Sequence, residues 1–371
     1  MAGFFLGIVQ LTSRLCGIFL CNSKQSEHFH RQVQRSRSGF IETCRTTAIS
    51  TSSGYFFARV SPGYPQISDS SRYECRAEYR EDMEGNFLSR GQLMSEEVAR
   101  CIEMSSRSRQ ELTFCLLTAL RLHGFEEPRE MVLRRDRVHI LSASRSERSR
   151  ISSADYHFLN SRVFTEIVSY AGIDIRVTDP ISTCIHMAQF CTREEITVLF
   201  DQLLRRHQKN KMSDYRELEE RISSLPPQVN GSKRARWAWR HCRMNTDSSM
   251  ETRLRLILEA ARFPTPEVNP HFVGKTGQYD FYMDLAYCSL AIAFEYQGVE
   301  FHTGESWLTQ DSMKAIAFMN SGGLIIPVTK EQLSDESMKK RLIDTVRSLR
   351  RQRMRLSGRQ RAGYAALFEK T

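Results

Sequence analysis

The stretch that decides the fold is Asp284-Leu285-Ala286-Tyr287-Cys288-Ser289-Leu290-Ala291-Ile292-Ala293-Phe294-Glu295-Tyr296-Gln297-Gly298, with His302 shortly after it. Two carboxylates sit in apolar, strand-prone sequence with ten residues between them. A tight turn centred on Cys288-Ser289 pairs the two halves as antiparallel strands, with Asp284 opposite Ala293 and Glu295 opposite Tyr282. Both carboxylates then share one face, as diagonal neighbours roughly 7–8 Å apart. Oxygen groups so placed accept a divalent cation between them, which is the layout a metal-dependent phosphodiesterase needs.

Ionised carboxylates beside Met283, Leu285, Ile292 and Phe294 are costly unless paired, hydrogen-bonded or metal-bound. A solvated strand face is the competing reading. Gln297 ends a D-x10-E-x-Q string and can orient water without carrying charge. His302 is a candidate general acid or base, since imidazole titrates near neutral pH; a structural loop histidine is equally compatible. Glu251, three residues after Ser248, reads either as a third acidic ligand or as the glutamate of a capping box. Asp311 and Lys314 share a helical face and could reach the site or pair at the surface.

Working outward, the pattern predicts a helix over 249–262, strands over 278–287 and 290–296, and a helix over 309–320. A strand over 324–329 and a final helix over about 331–355 follow. Gly322-Gly323 stands where a helix stop belongs. The order α-β-β-α-β describes a mixed sheet flanked by helices, an α/β fold. The Arg-rich segment 347–361 is expected to fray, and 356–371 to be a flexible tail.

Upstream, Ser108-Arg-Gln-Glu111 reads as a capping box opening a helix with Leu112, Cys115, Leu116, Ala119 and Leu120 on its apolar face. Strands are predicted at 131–133, 138–141 and 173–177, and a helix at 182–190 after Pro180. A second box, Thr192 to Glu195, opens a helix through Leu204, and a short helix lies near 215–222. Residues 233–243 interleave five cations with Trp237 and Trp239. Phosphate contact through Lys233, Arg234, Arg236 and Arg240 with stacking on Trp237 is one reading; a packed linker helix with solvated cations is the other.

The chain has 371 residues, enough for two or three domains, with a formal charge of +10 and pI near 9.2. That balance favours an acidic partner, nucleic acid first, against a merely solvated basic surface. Ten cysteines without a CxxC pair argue against a zinc ribbon or redox motif and read as reduced thiols of a cytoplasmic protein. No Gly-rich phosphate loop, nucleophile elbow or HExxH motif is present. The apolar first 21 residues, broken by Arg14, make a poor signal peptide or membrane span. An upstream-extended start, with initiation near Met83 or Met94, explains them equally well. Residues 22 to about 90 read as disordered, with order beginning near Ser95.

Several segments resemble a known group. Ser248-Ser-Met-Glu251-Thr-Arg-Leu-Arg, Tyr-Met-Asp284-Leu-Ala-Tyr, Ala-Phe-Glu295-Tyr-Gln-Gly298 with Phe-His302, and Asp311 to Lys314 to Gly322-Gly-Leu-Ile-Ile-Pro-Val-Thr329 look like the Vsr-like endonuclease domain of the PD-(D/E)XK nuclease superfamily, over roughly residues 248–335. Upstream, Leu-Thr-Ala-Leu-Arg-Leu-His-Gly124, Val138-His-Ile-Leu, Thr178-Asp-Pro180 and Phe200-Asp-Gln-Leu-Leu-Arg-Arg206 resemble the helix-turn-helix-like region of actinobacterial proteins related to AbiEi-type antitoxins of abortive-infection systems.

The resemblance implies a restriction-endonuclease-like core at 248–355 behind a mainly helical, winged-helix-like α+β region at 91–245. It implies Mg²⁺ or Mn²⁺ on Asp284 and Glu295, with Glu251 as third ligand, and DNA as substrate. Gln297 or His302 would orient the attacking water. A role in phage defence or DNA processing follows, with a toxin or defence-system partner. Gln297 stands where the superfamily carries a lysine, so Lys314 is the cation that could substitute for it. The alternative is a catalytically silent, antitoxin-type DNA-binding regulator.

Overall fold

The computed structural model describes residues 20–22, 47–50, 55–59, 79–81, 87–142, 151–159, 161–207, 211–297 and 305–369. Residues 1–76 with 169–173 make one unit, and 77–168 with 174–371 a second. In the first, β1 (Leu20–Asn22), β2 (Thr47–Ser50) and β3 (Tyr55–Arg59) form an antiparallel sheet of order β1-β3-β2. The remaining expectations for residues 1–76 fall outside the described residues.

The second unit opens with a hairpin, β4 (Tyr79–Glu81) against β5 (Phe87–Ser89), and helix α1 (Arg90–Arg107). The predicted helix at Ser108 is corrected. Ser108 makes a turn whose hydroxyl accepts from Gln110 N, Glu111 pairs with Arg176, and Thr113–Phe114 is strand β6. Helix α2 starts only at Leu116 and ends at Leu122. Strands β7 (Val138–Leu141), β8 (Ala154–His157), β9 (Thr165–Tyr170) and β10 (Ile173–Thr178) complete a mixed sheet of order β8-β7-β6-β10-β9. The run at 131–133 contributes a single bridge, Met131 to Cys191, rather than a strand.

Four helices follow: α3 (Pro180–Met187), α4 (Arg193–Leu203), α5 (Lys211–Ser224) and α6 (Ser232–His241). Asp179 and Thr192 cap α3 and α4 by accepting from Ser182 N and Glu195 N. Leu117, Leu120, Cys184, Leu199, Phe200, Leu218, Ala235 and Ala238 interlock as their common core. Each fully buried Leu or Phe side chain there contributes about 1.5–3 kcal/mol.

The last part reads α7 (Ser249–Ala260), β11 (Glu267–Val268), β12 (His271–Phe272), β13 (Phe281–Tyr282), β14 (Leu285–Tyr287) and β15 (Ile292–Gln297). Helix α8 (Glu305–Asn320), β16 (Leu324–Thr329), α9 (Lys330–Ser334), α10 (Glu336–Met354) and α11 (Gly358–Ala365) follow. The sheet order is β11-β14-β15-β16, antiparallel except for the parallel β15–β16 pair that α8 bridges. Gly322 closes α8 at φ +85°, and a Cβ on Gly323 would fall 2.4 Å from the Phe318 ring.

One sheet face packs Leu285, Ile292, Phe294 and Val328 against Leu254 and Leu258 of α7 and Leu342 and Val346 of α10. The other presents the small residues Ala286, Ala291 and Ala293 to Phe318 of α8 and to Phe272, Leu367 and Phe368. The expected flexible tail therefore does not fit: α11 forms, and Leu367 and Phe368 return to the core.

Helix α7 is also locked to α4. Arg255 is fully buried and pairs with Asp201 at 2.6 Å; Asp201 also accepts from Thr252 and from Arg243 N. Arg253 spans Glu195 at 2.9 Å and Glu126 at 3.0 Å.

Candidate metal and phosphodiester site

The connection between β14 and β15 sets the geometry. It is not a two-residue turn: Cys288–Leu290 form a 3₁₀ turn and Ala291 takes a left-handed conformation, φ +49°. The register becomes Leu285↔Phe294, Ala286↔Ala293 and Tyr287↔Ile292. The expected pairing is corrected: the ladder is slipped by two residues and ends at Leu285↔Phe294, and Asp284, just beyond it, accepts from Tyr296 N next to Glu295. The predicted strand 278–287 is also interrupted at Met283 and Asp284, where the chain passes from the β12–β13 hairpin to the main sheet.

Asp284 is 8% exposed and accepts a hydrogen bond from Tyr296 N at 2.8 Å. Glu295 lies with both oxygens 2.8 Å from Lys314 Nζ, delivered by α8 from the face that also buries Ala317 and Phe318. Glu251 is 1% exposed; its Oε2 accepts from Asn269 Nδ2 at 2.8 Å and Asp247 N at 3.1 Å. Ser248 caps α7 by accepting from Glu251 N, but the Glu251 carboxylate does not close a capping box onto Ser248 N. Its Oε1 is buried with no hydrogen-bond partner.

Glu251 and Glu295 each feel the charge of Asp284. Burial, then Asp284, pushes Glu251 up to about 8. Burial and Asp284 also push Glu295 up to about 8, against the lowering influence of Lys314. Crowded, desolvated acids of this kind hold their negative charge only when a cation shares the space.

Two residues escaped sequence reasoning. Asn269 donates its side chain to Glu251 while its backbone N–H donates to Asp284 O at 3.0 Å, so it ties α7 to β14. The turn-forming Asn269-Pro270 dipeptide was the available signal. Arg206 stacks over Tyr282 at 4.1 Å and pairs with Asp247, the residue whose N–H holds Glu251.

Gln297 lies exposed at the end of β15. His302 and the side chain of Asp311 lie outside the described residues. On α6, Arg234 donates to Ala188 O and Gln189 O, and Arg236 to Leu225 O. Trp237 stacks on His241 at 3.8 Å with Arg193 over its ring at 4.3 Å. Lys233 and Arg240 project from the same helix and are exposed. The cations proposed for nucleic acid on α6 are thus divided between internal contacts and solvent.

Asp284, Glu295 and Glu251 offer only oxygen donors, the kind that suits a hard divalent cation, and Glu251 Oε1 has no hydrogen-bond partner. Among the described residues no group of three or more His, Cys, Asp or Glu side chains converges as a formed metal cluster. Mg²⁺ is usually held by one or two carboxylates plus waters, and Asp284 with Glu295 supplies that number.

No family model matches the chain. It is 22% identical over 222 residues to the uncharacterized protein Rv2248 of Mycobacterium tuberculosis strain H37Rv, covering 60% of this chain and 76% of that protein. The uncharacterized protein MT2308 of strain CDC 1551 gives the same figures. No solved structure matches. No helix among the described residues is long and apolar enough to cross a membrane.

Proposed function

We propose that this protein is a metal-dependent DNA endonuclease whose C-terminal part is a restriction-endonuclease-like core of the PD-(D/E)XK type. The observation that carries the reading is Asp284 close enough to Glu295 to raise its pKa, with Lys314 Nζ at 2.8 Å from Glu295. Asp284 and Glu295 would hold Mg²⁺ or Mn²⁺, with Glu251, whose charge Asp284 opposes, as a third acidic group nearby. When bound, the metal would neutralise charge at the scissile phosphate and lower the pKa of a nearby water. Lys314, rather than a lysine at position 297, is the cation positioned to hold a water or phosphate oxygen beside Glu295. Gln297 can accept and donate hydrogen bonds to that water. Asn269 fixes the separation of the two acidic elements, and the Arg255–Asp201 and Arg253–Glu195 pairs hold α7 against the upstream helices.

The test is nicking of supercoiled plasmid by the full-length chain with Mg²⁺, Mn²⁺ or EDTA. Metal-dependent nicking that disappears in Asp284→Ala/Glu295→Ala is the expected result. Undiminished nicking in the double variant would discard the mechanism. Gln297 in place of lysine favours a second reading, a catalytically silent regulator of the antitoxin type. In that case DNA affinity persists in EDTA and in Asp284→Ala with no nicking.

A further inference from the structure

We infer that the exposed arginine ridge of α10 and α11 is a docking surface for the phosphate backbone of duplex DNA, separate from the carboxylate site. It rests on the reading that DNA is the partner, but not on cleavage.

Between residues 345 and 368 the chain carries seven arginines and no Asp or Glu. They divide into two sets. Arg347 pairs with Asp344, Arg350 lies over Tyr287 at 5.0 Å, Arg353 donates to Gly322 O at 2.8 Å, and Arg361 reaches Met354 Sδ at 3.9 Å. Of these, Arg350 reaches the sheet and Arg353 the loop before β16, while Arg347 and Arg361 are spent within and between the two helices. Arg351, Arg355 and Arg359 are exposed and make no ion pair among the described residues.

Arg351 and Arg355 are four residues apart, one above the other on one helical face, separated by a rise of about 6 Å. Arg359 lies in the first turn of α11, past the Leu356–Ser357 break that separates the two helices. Three exposed guanidiniums within nine residues, with no carboxylate among them, suit a polyanion with a charge every ~3.4 Å along each strand.

The packing argues against a lipid surface as occupant. A membrane-lying helix inserts an apolar face, whereas Leu342 and Val346 of α10 are spent in the sheet core. The ridge also differs from α6, where Arg234 and Arg236 are bonded to main-chain carbonyls. Its anchor Arg350 sits at Tyr287, which pairs with Ile292. That is three residues, or about 10 Å, along β15 from Glu295.

The experiment is fluorescence anisotropy of a labelled short duplex with the full-length chain in EDTA, over a salt series from about 50 to 200 mM. The variants are Arg351→Gln/Arg355→Gln/Arg359→Gln, the matching triple Lys variant, and Lys233→Gln/Arg240→Gln on α6. Unchanged thermal unfolding establishes that each is folded. The triple Gln variant is expected to lower the slope of log K against log salt by about 2.7. The triple Lys variant should keep the wild-type slope. Three results overturn the inference: a wild-type slope in the triple Gln variant, a comparable loss in the α6 variant, or binding to anionic vesicles with none to duplex. Nicking is scored on the same preparations. Binding lost in the triple Gln variant of a protein that never nicks upholds the ridge and discards cleavage. Nicking with unchanged binding in that variant does the reverse.

Discussion

Glu251 is a carboxylate held where water does not reach, with one oxygen satisfied by Asn269 and Asp247 N and the other by nothing. A site selected for stability alone would avoid this, because an unsatisfied buried polar atom costs about 1–3 kcal/mol. Raised to about 8 by burial and Asp284, Glu251 penalises folding when ionised. Its folded pKa exceeds the ordinary glutamate value near 4.3. The penalty is therefore absent below that value and complete above about 8. Glu251→Gln should raise Tm in EDTA at pH 8 by several degrees, with the gain shrinking as pH falls toward 5. Calorimetry across that range checks it, and a variant less stable at pH 8 contradicts it. The residue types at 251, 284 and 295 were legible in the sequence. The orphaned oxygen was not, because it depends on where Asn269 and Asp247 N come to lie.

At the scale of elements, α7, β15, α8 and β16 were readable from their periods, and β16 occupies the predicted 324–329. The run 278–287 instead splits into β13 and β14 of different sheets, and β11 and β12 went unseen. The register was not readable. A 3₁₀ turn with a left-handed Ala291 replaces the expected tight turn, and nothing in Cys288-Ser289-Leu290-Ala291 announces it. Ser108 to Glu111 matches a capping box but faces a strand, since Phe114 pairs with both β7 and β10. The fate of the α6 arginines depended on carbonyls brought in from α3 and the 225 loop, which no local pattern contains.

The lock between α4 and α7 is likewise tertiary. Arg255→Ala should cost about 3–5 kcal/mol, since it strands Asp201 in the core. The Asp201→Leu/Arg255→Met double variant should recover much of that. Chemical denaturation of the three proteins tests the coupling, and a single variant as stable as wild type would contradict it.

For the whole molecule, two sets of buried groups act on stability in opposite directions. Burial holds His139, His157 and His186 down to about 4 while Glu251 and Glu295 are raised to about 8. Above about pH 6.5 the raised carboxylates act first, and the buried thiols, raised by burial, add to the same trend near pH 8 and above. The folded chain binds protons the unfolded chain does not, so stability rises as pH falls from 8. Below about 6.5 the buried imidazoles, His123 among them, charge in the unfolded chain first and oppose that gain, so stability falls. Tm measured in EDTA should peak near pH 6.5. Mg²⁺, binding the ionised carboxylates, should move the peak upward. A Tm that climbs steadily to pH 8.5 in EDTA would contradict the assignment.

The most direct test of the central claim remains the cutting of DNA. Supercoiled plasmid is incubated with the full-length wild type and with Asp284→Ala/Glu295→Ala in Mg²⁺, Mn²⁺ and EDTA. The account predicts nicking by the wild type with either metal, none in EDTA and none by the variant. Equal nicking by the wild type and the variant, or none by the wild type with either metal, would contradict it.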